Sequence, residues 1–140
     1  LRKNSSKEKP RVRTYGVYVL IVFIVLLFQS IIIEFVISNR VSNEYLSRIF
    51  SVVEPYDIIV DNNIVLHKED FLKSLQEIDF EMPEHTHALK KMNCEISWLD
   101  DKLLLLIAKD SENNNKYWVF YPNYNYSYKN MIGSIIVGDF

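Results

Sequence analysis

The densest group of titratable side chains in this sequence runs from Glu81 to His87, with the residues EMPEHTH. His85 and His87 are two residues apart, so they point the same way if the segment is extended, beside the carboxylates of Glu81 and Glu84. Imidazole changes charge between acidic and neutral pH, and nearby carboxylates favour its charged form. We therefore predict a pH-sensing site formed by these four residues, with His67 as a further candidate.

Two other interpretations of this segment stay open. The first is a metal site, but a metal ion needs three or four ligands and the spacing sets only the two imidazoles. The second is a solvated polar loop that binds nothing. We expect no metal ion and no cofactor.

Catalytic motifs are absent from the sequence. It has no Gly-x-Ser-x-Gly, no His-Glu-x-x-His, no Cys-x-x-Cys and no glycine-rich phosphate loop, and the whole chain contains three glycines. Carboxylates are plentiful, but no pair is selected by its spacing. We expect a protein that is not an enzyme.

The most aromatic stretch, residues 117–128, is rich in tyrosine and asparagine. Exposed tyrosines often anchor another protein, because they bury a large ring and still hydrogen-bond. We predict a partner-binding surface at Tyr121, Tyr124, Tyr126 and Tyr128. Packing within the fold, a membrane-surface belt and the wall of a pocket for a small amphiphilic ligand are the alternatives.

The single cysteine, Cys94, cannot form an internal disulfide. It shares the apolar side of a predicted strand with Met92, Ile96 and Trp98, which favours a buried thiol. An intermolecular disulfide is the alternative.

Residues 15–33 contain no charged side chain, and a helix of that length matches a bilayer core of about 30 Å. We predict a transmembrane helix over 15–37, with Gln29, Ser30 and Glu34 as contacts to another helix inside the membrane, since polar residues are costly there. A cleaved signal peptide fits less well, because the apolar run is long and no small-x-small cleavage site follows.

Charge is distributed unequally around this segment. Residues 1–14 carry a net charge of +5, whereas residues 38–140 carry −6. Because basic residues stay on the cytoplasmic side, we expect a cytoplasmic tail over 1–14 and a periplasmic or extracytoplasmic domain over 38–140, anchored in the inner membrane. An acidic outer domain argues against nucleic-acid binding.

Hydrophobic periodicity predicts the elements that position these residues. Helical spacing covers 41–53 and 68–79, and a hairpin is expected around the turn at 61–63. Beyond Pro83, four strands near 92–98, 102–109, 116–121 and 131–137 predict an antiparallel meander. Its apolar face needs cover, so we predict one α+β domain with one or two helices over the sheet.

This layout resembles the small inner-membrane accessory proteins of ToxR-type transcriptional activators, the class that includes ToxS, TcpH, PsaF and MyfF. The matching features are the basic leader Arg2 to Arg13, the single span, the helix Val41 to Val53 and the α+β outer domain. The lone Cys94 departs from the paired cysteines of some members.

The resemblance implies a non-enzymatic protein that binds the outer domain of a membrane-bound activator. It implies protection of that partner and a response to pH, temperature or a small amphiphile. Two alternative functions are a structural subunit of a secretion or pilus assembly machine, and an immunity or exclusion protein. The first shares the plan of one span and an outer domain, and the second fits an acidic, tyrosine-rich surface.

Overall fold

The computed structural model describes residues 9–80, 86–122 and 131–138, with side chains from residue 15 onward. A long helix is followed by a sheet and a short helix, which confirms the predicted α+β class. In chain order the elements are α1 (Lys9–Phe50), β1 (Tyr56–Val60), β2 (Asn63–Ile64), α2 (Lys68–Gln76), β3 (Ala88–Trp98), β4 (Asp101–Asp110), β5 (Lys116–Phe120) and β6 (Met131–Ile136). The chain forms two compact units, Leu1–Asn39 and Arg40–Phe140.

The first unit is helical wherever it is described. The side chains of residues 15–36 are all exposed. In the described part of the chain, Tyr15–Phe50 is the helix long and apolar enough to cross a membrane, with a mean hydropathy of 2.9 in its most apolar window. By length and composition, this agrees with the span predicted over 15–37.

The second unit contains a six-stranded antiparallel sheet in the order β2-β1-β3-β4-β5-β6. The predicted meander is present, and β1 and β2 extend it on one side. Asp61 and Asn62 form the two-residue turn between β1 and β2 with φ values of 46° and 69°. Asparagine and aspartate tolerate such values better than most residues, which explains the turn signal in the sequence.

The main core lies on one face of this sheet, under the end of α1 and under α2. Val41, Tyr45 and Ile49 recur every four residues along α1 and are buried, as Phe71 and Leu75 are in α2. Both helices end earlier than predicted, at Phe50 rather than 53 and at Gln76 rather than 79. The predicted helical covers are therefore confirmed with shorter limits.

A smaller apolar cluster lies on the opposite face. Ala108, Trp118 and Phe120 are buried there, with Leu106 and Met131 packed against them. Both faces of β5 are therefore buried, so its sequence reads as a continuous apolar run rather than an alternating one.

Candidate functional site

Of the five predicted pH-sensing residues, the structure describes His67 and His87. Glu81, Glu84 and His85 fall outside the described residues. His67 is exposed at the start of α2, where its carbonyl accepts a hydrogen bond from the N–H of Phe71 at 3.1 Å. His87 is exposed just before β3.

Ser111 holds His87 at the base of the β3–β4 hairpin. The N–H of Ser111 donates to the His87 carbonyl at 3.0 Å, and its Oγ lies 3.5 Å from Nδ1 of the imidazole. Across the described ranges, no group of three His, Cys, Asp or Glu side chains is arranged to hold a metal ion.

The predicted tyrosine surface is divided in the same way. Tyr124, Tyr126 and Tyr128 lie outside the described residues, and Tyr121 is 1% exposed. Its hydroxyl donates to Glu44 at 3.0 Å, and its ring meets Tyr45 edge to face at 6.3 Å. Tyr121 is therefore a core residue rather than an exposed anchor, because it faces the helices that cover the sheet.

The intramembrane candidates all lie exposed on α1. At about 100° of rotation per residue, Gln29, Ser30 and Glu34 fall within an arc of about 140°. They share one side of the helix, as a contact to a neighbouring helix requires, and they stay a prediction.

Cys94 is 1% exposed among core residues of the sheet, which agrees with the buried-thiol prediction. Burial raises the pKa of its thiol to about 12. Since the thiolate is the reactive form, this cysteine is unreactive in the folded chain at neutral pH.

An open groove of about 520 Å³ lies where β1 and β2 diverge from the start of β3. Its lining is mostly apolar and includes a few polar side chains. Its apolar lining is Val60, Ile64, Val65, Leu89, Met92 and Tyr117. Its polar lining is Asp61, Asn63, Lys90 and Lys109.

The groove exists because β1 is much shorter than β3. β1 pairs with β3 from Tyr56↔Trp98 to Val60↔Cys94, and then the turn at Asp61 takes the chain away. Asp61 closes the end of this pairing. Its N–H donates to the carbonyl of Asn93, and its Oδ1 accepts from the N–H of Asn93, both at 2.9 Å.

Before Asn93, the first half of β3 is paired with one strand instead of two among the described residues. β4 pairs with it on one side. Backbone groups alternate in direction along a strand, so Lys91 points its N–H and C=O to the same side as Asn93, away from β4. This leaves an open edge at Lys91, between the groove-lining residues Lys90 and Met92.

The charge at this edge is positive. In the described part of the chain, Lys90 and Lys109 form no ion pair, and the ammonium of Lys91 lies 3.9 Å from the centre of the Phe120 ring. Asp61 already accepts a hydrogen bond from Asn93. The groove can therefore accept an apolar group that carries or adjoins negative charge.

A buried carboxylate at the end of β4 holds the turn that leads to β5. Asp110, 2% exposed, accepts hydrogen bonds from the indole of Trp118 at 2.7 Å and from the N–H groups of Glu112 and Asn113 at 2.8 and 2.9 Å. Burial raises the pKa of Asp110, but these donors and the nearby Thr86 hydroxyl outweigh it and lower the pKa to about 2.

No known protein family, curated protein sequence or solved structure matches the chain. Its site therefore has to be interpreted from its own residues. The described residues bring together binding groups rather than an activated nucleophile or an acid–base pair.

The groove and the open edge are not predicted by the sequence. The one available signal is Lys90-Lys91, which interrupts the apolar alternation of β3. The predicted strand therefore began at Met92, whereas the structure begins it at Ala88. Which strand stops short of its neighbour depends on pairing register, which the sequence of β3 alone does not contain.

Proposed function

We propose that this chain is a non-enzymatic, single-pass membrane protein whose outer domain binds a second membrane protein and stabilises or tunes it. The observation that carries this proposal is the groove between β2 and β3, whose mostly apolar lining includes Lys90 and Lys109. Small-molecule sites and partner sites both have an apolar lining with a few placed charges, and the groove has this composition.

The apolar part of α1 supports the anchored half of the proposal. An exposed run of this length and hydropathy is stable in lipid rather than in water. The excess of Lys and Arg before it favours a cytoplasmic N-terminus and an extracytoplasmic domain. In a bacterium the membrane is then the inner membrane, and a reporter fused after residue 140 must be active outside the cytoplasm.

The partner we propose is a ToxR-type transcriptional activator, by resemblance of layout. pH, temperature or a small amphiphile are the stimuli we propose for the outer domain, with the histidines near residues 85–87 as pH-responsive groups.

The test begins with a photocrosslinking residue in place of Leu89, in native membranes, followed by mass spectrometry of the product. The same residue at Lys73, which is exposed on α2 and outside the groove, is the control. We expect a single membrane protein to be captured from position 89, and its level to fall when residues 38–140 are deleted. Equal capture from both positions, or an unchanged partner level, would refute the proposal.

A further inference from the structure

We propose that the open edge at Lys91 binds an extended acidic segment of the partner as an added β-strand, with its apolar side chains in the groove. This inference rests on the proposed function and specifies how the partner is held. It joins two neighbouring observations: the backbone of β3 around Lys91, which pairs only with β4 among the described residues, and the charge of the residues around it.

The backbone supplies the first argument. The N–H and C=O of Lys91 face the side that β1 leaves at Asn93, so they are available to a strand that continues the line of β1. Strand addition uses such an edge, because two main-chain hydrogen bonds form for every second residue of the added segment.

The groove supplies the second argument. Alternate side chains of an added strand point to opposite faces of the sheet. One set would meet Leu89, Met92 and Ile64, of which Leu89 is 50% and Ile64 69% exposed. An added strand would therefore remove the exposed apolar surface of Leu89 and Ile64 from water.

Charge selects the kind of segment. Lys90 and Lys109 lie on the groove, and Lys91 lies on the opposite face over Phe120. Lysines on an edge strand oppose pairing with neutral or basic strands and leave acidic ones as the matched partner. A carboxylate on the added strand gains from these ammonium groups.

The same lysines argue against a second copy of this chain. Antiparallel pairing of two β3 edges about Lys91 would set Lys90 and Lys91 of one copy near those of the other. Like charges directly opposite each other on paired strands are destabilising. The proposed occupant is therefore a different chain with alternating apolar and acidic residues.

The experiment uses the full chain in nanodiscs of zwitterionic phosphatidylcholine. The probe is an acetylated hexapeptide that alternates glutamate with valine, and the comparison peptide alternates lysine with valine. We expect the acidic peptide to bind and to slow hydrogen exchange of the Lys91 amide about tenfold or more at saturation, because that amide gains an acceptor. The lysine peptide is expected not to bind.

Substitution separates the backbone from the side chain. Lys91→Pro removes the outward N–H without touching a hydrogen bond to β4, whereas Lys91→Ala removes only the ammonium. We expect Lys91→Pro to weaken peptide binding about tenfold relative to Lys91→Ala, as loss of one hydrogen bond predicts. Lys90→Glu should also weaken binding, and Lys73→Glu on α2 is the charge-matched control.

Three outcomes would overturn strand addition. They are no binding of the acidic peptide, equal binding by Lys91→Pro and Lys91→Ala, and unchanged exchange at the Lys91 amide, which needs no variant. Dodecanoate that binds the groove while the peptide does not would make it an amphiphile site instead. If native-membrane capture needs Leu89 but tolerates Lys91→Pro, the proposed function stands and strand addition fails.

Discussion

The two halves of β3 have opposite surroundings. From Cys94 to Trp98 the strand is paired on both sides, and its alternate residues are buried under α1 and α2. From Ala88 to Asn93 it is paired on one side within the described residues and mostly exposed. The first stretch, which we call the closed half, carries the stability of the sheet, and the second, the open half, is available for binding.

The far edge of the sheet shows that this difference is not a general feature of edges here. At β6, Asp79 and Ser134 exchange two backbone hydrogen bonds of 2.9 and 2.8 Å, and the hydroxyl of Ser74 donates to the carbonyl of Ile136. The chain closes that edge with its own residues. The edge at Lys91 has no such closure in the described ranges, which is the contrast that the following predictions test.

The largest effect is expected at Tyr45 of α1, one of the helices that cover the closed half. Its ring is fully buried and its hydroxyl donates to the Leu75 carbonyl at 2.7 Å. Tyr45→Ala should lower the free energy of unfolding by about 3 to 5 kcal/mol, as loss of a buried aromatic ring does. Tyr45→Phe, which keeps the ring, should cost about 1 to 3 kcal/mol because the carbonyl loses its donor. Denaturant titration of the full chain in detergent measures both, and equal costs would contradict the packing described.

Closure of the β6 edge depends on Gly133. A Cβ at this position would collide with the backbone oxygen of Asp79. Gly133→Ala should therefore cost about 1 to 3 kcal/mol, since the two backbones must separate. Gly138→Ala, which meets no atom within 4 Å, is the matched control. A neutral Gly133→Ala would show that the edge closes loosely.

Acid should act on Asp110, the buried carboxylate that holds the turn between β4 and β5. The pKa of Asp110 is lowered to about 2 in the folded chain, so its stabilisation is complete above the unfolded pKa near 4 and is lost as the pH falls towards 2. The loss should be about 2 kcal/mol between those pH values.

Asp110→Asn should remove this part of the acid dependence, and Glu112→Gln, at an exposed carboxylate nearby, should not. The measurement is the denaturation midpoint of each variant at pH 5, 4, 3 and 2. An acid dependence that is the same in wild type and Asp110→Asn would place the sensitive carboxylate elsewhere.

The smallest effect is expected in the open half. Leu89 is half exposed and outside the main core, so Leu89→Ser should change the free energy of unfolding by less than about 0.5 kcal/mol. Leu105→Ser, on β4 opposite Cys94 of the closed half and 1% exposed, should destabilise the chain far more. If the two variants were equally destabilised, Leu89 would contribute to the stability of the fold, and the open half would not be a surface available for binding.

Periodicity predicted the elements well where one face is buried. Cys94, Ile96 and Trp98 alternate with polar residues, which predicted the strand. Val41, Tyr45 and Ile49 recur every four residues, which predicted the covering helix. Periodicity failed at Tyr121. Both faces of the neighbouring β5 are buried, so the sequence there has no polar–apolar alternation to separate buried from exposed aromatic residues. It also gave no sign of the groove, because a groove arises from unequal strand lengths and registers rather than from composition.

The buried thiol of Cys94 makes the closed half measurable without any substitution. Because its sulfur meets solvent only when the strands around it separate, the rate at which a thiol reagent labels the chain reports how often the domain opens. Because the chain has one cysteine, each molecule takes up one label. Mass spectrometry of the intact protein then measures the opening rate in the membrane, without a substitution.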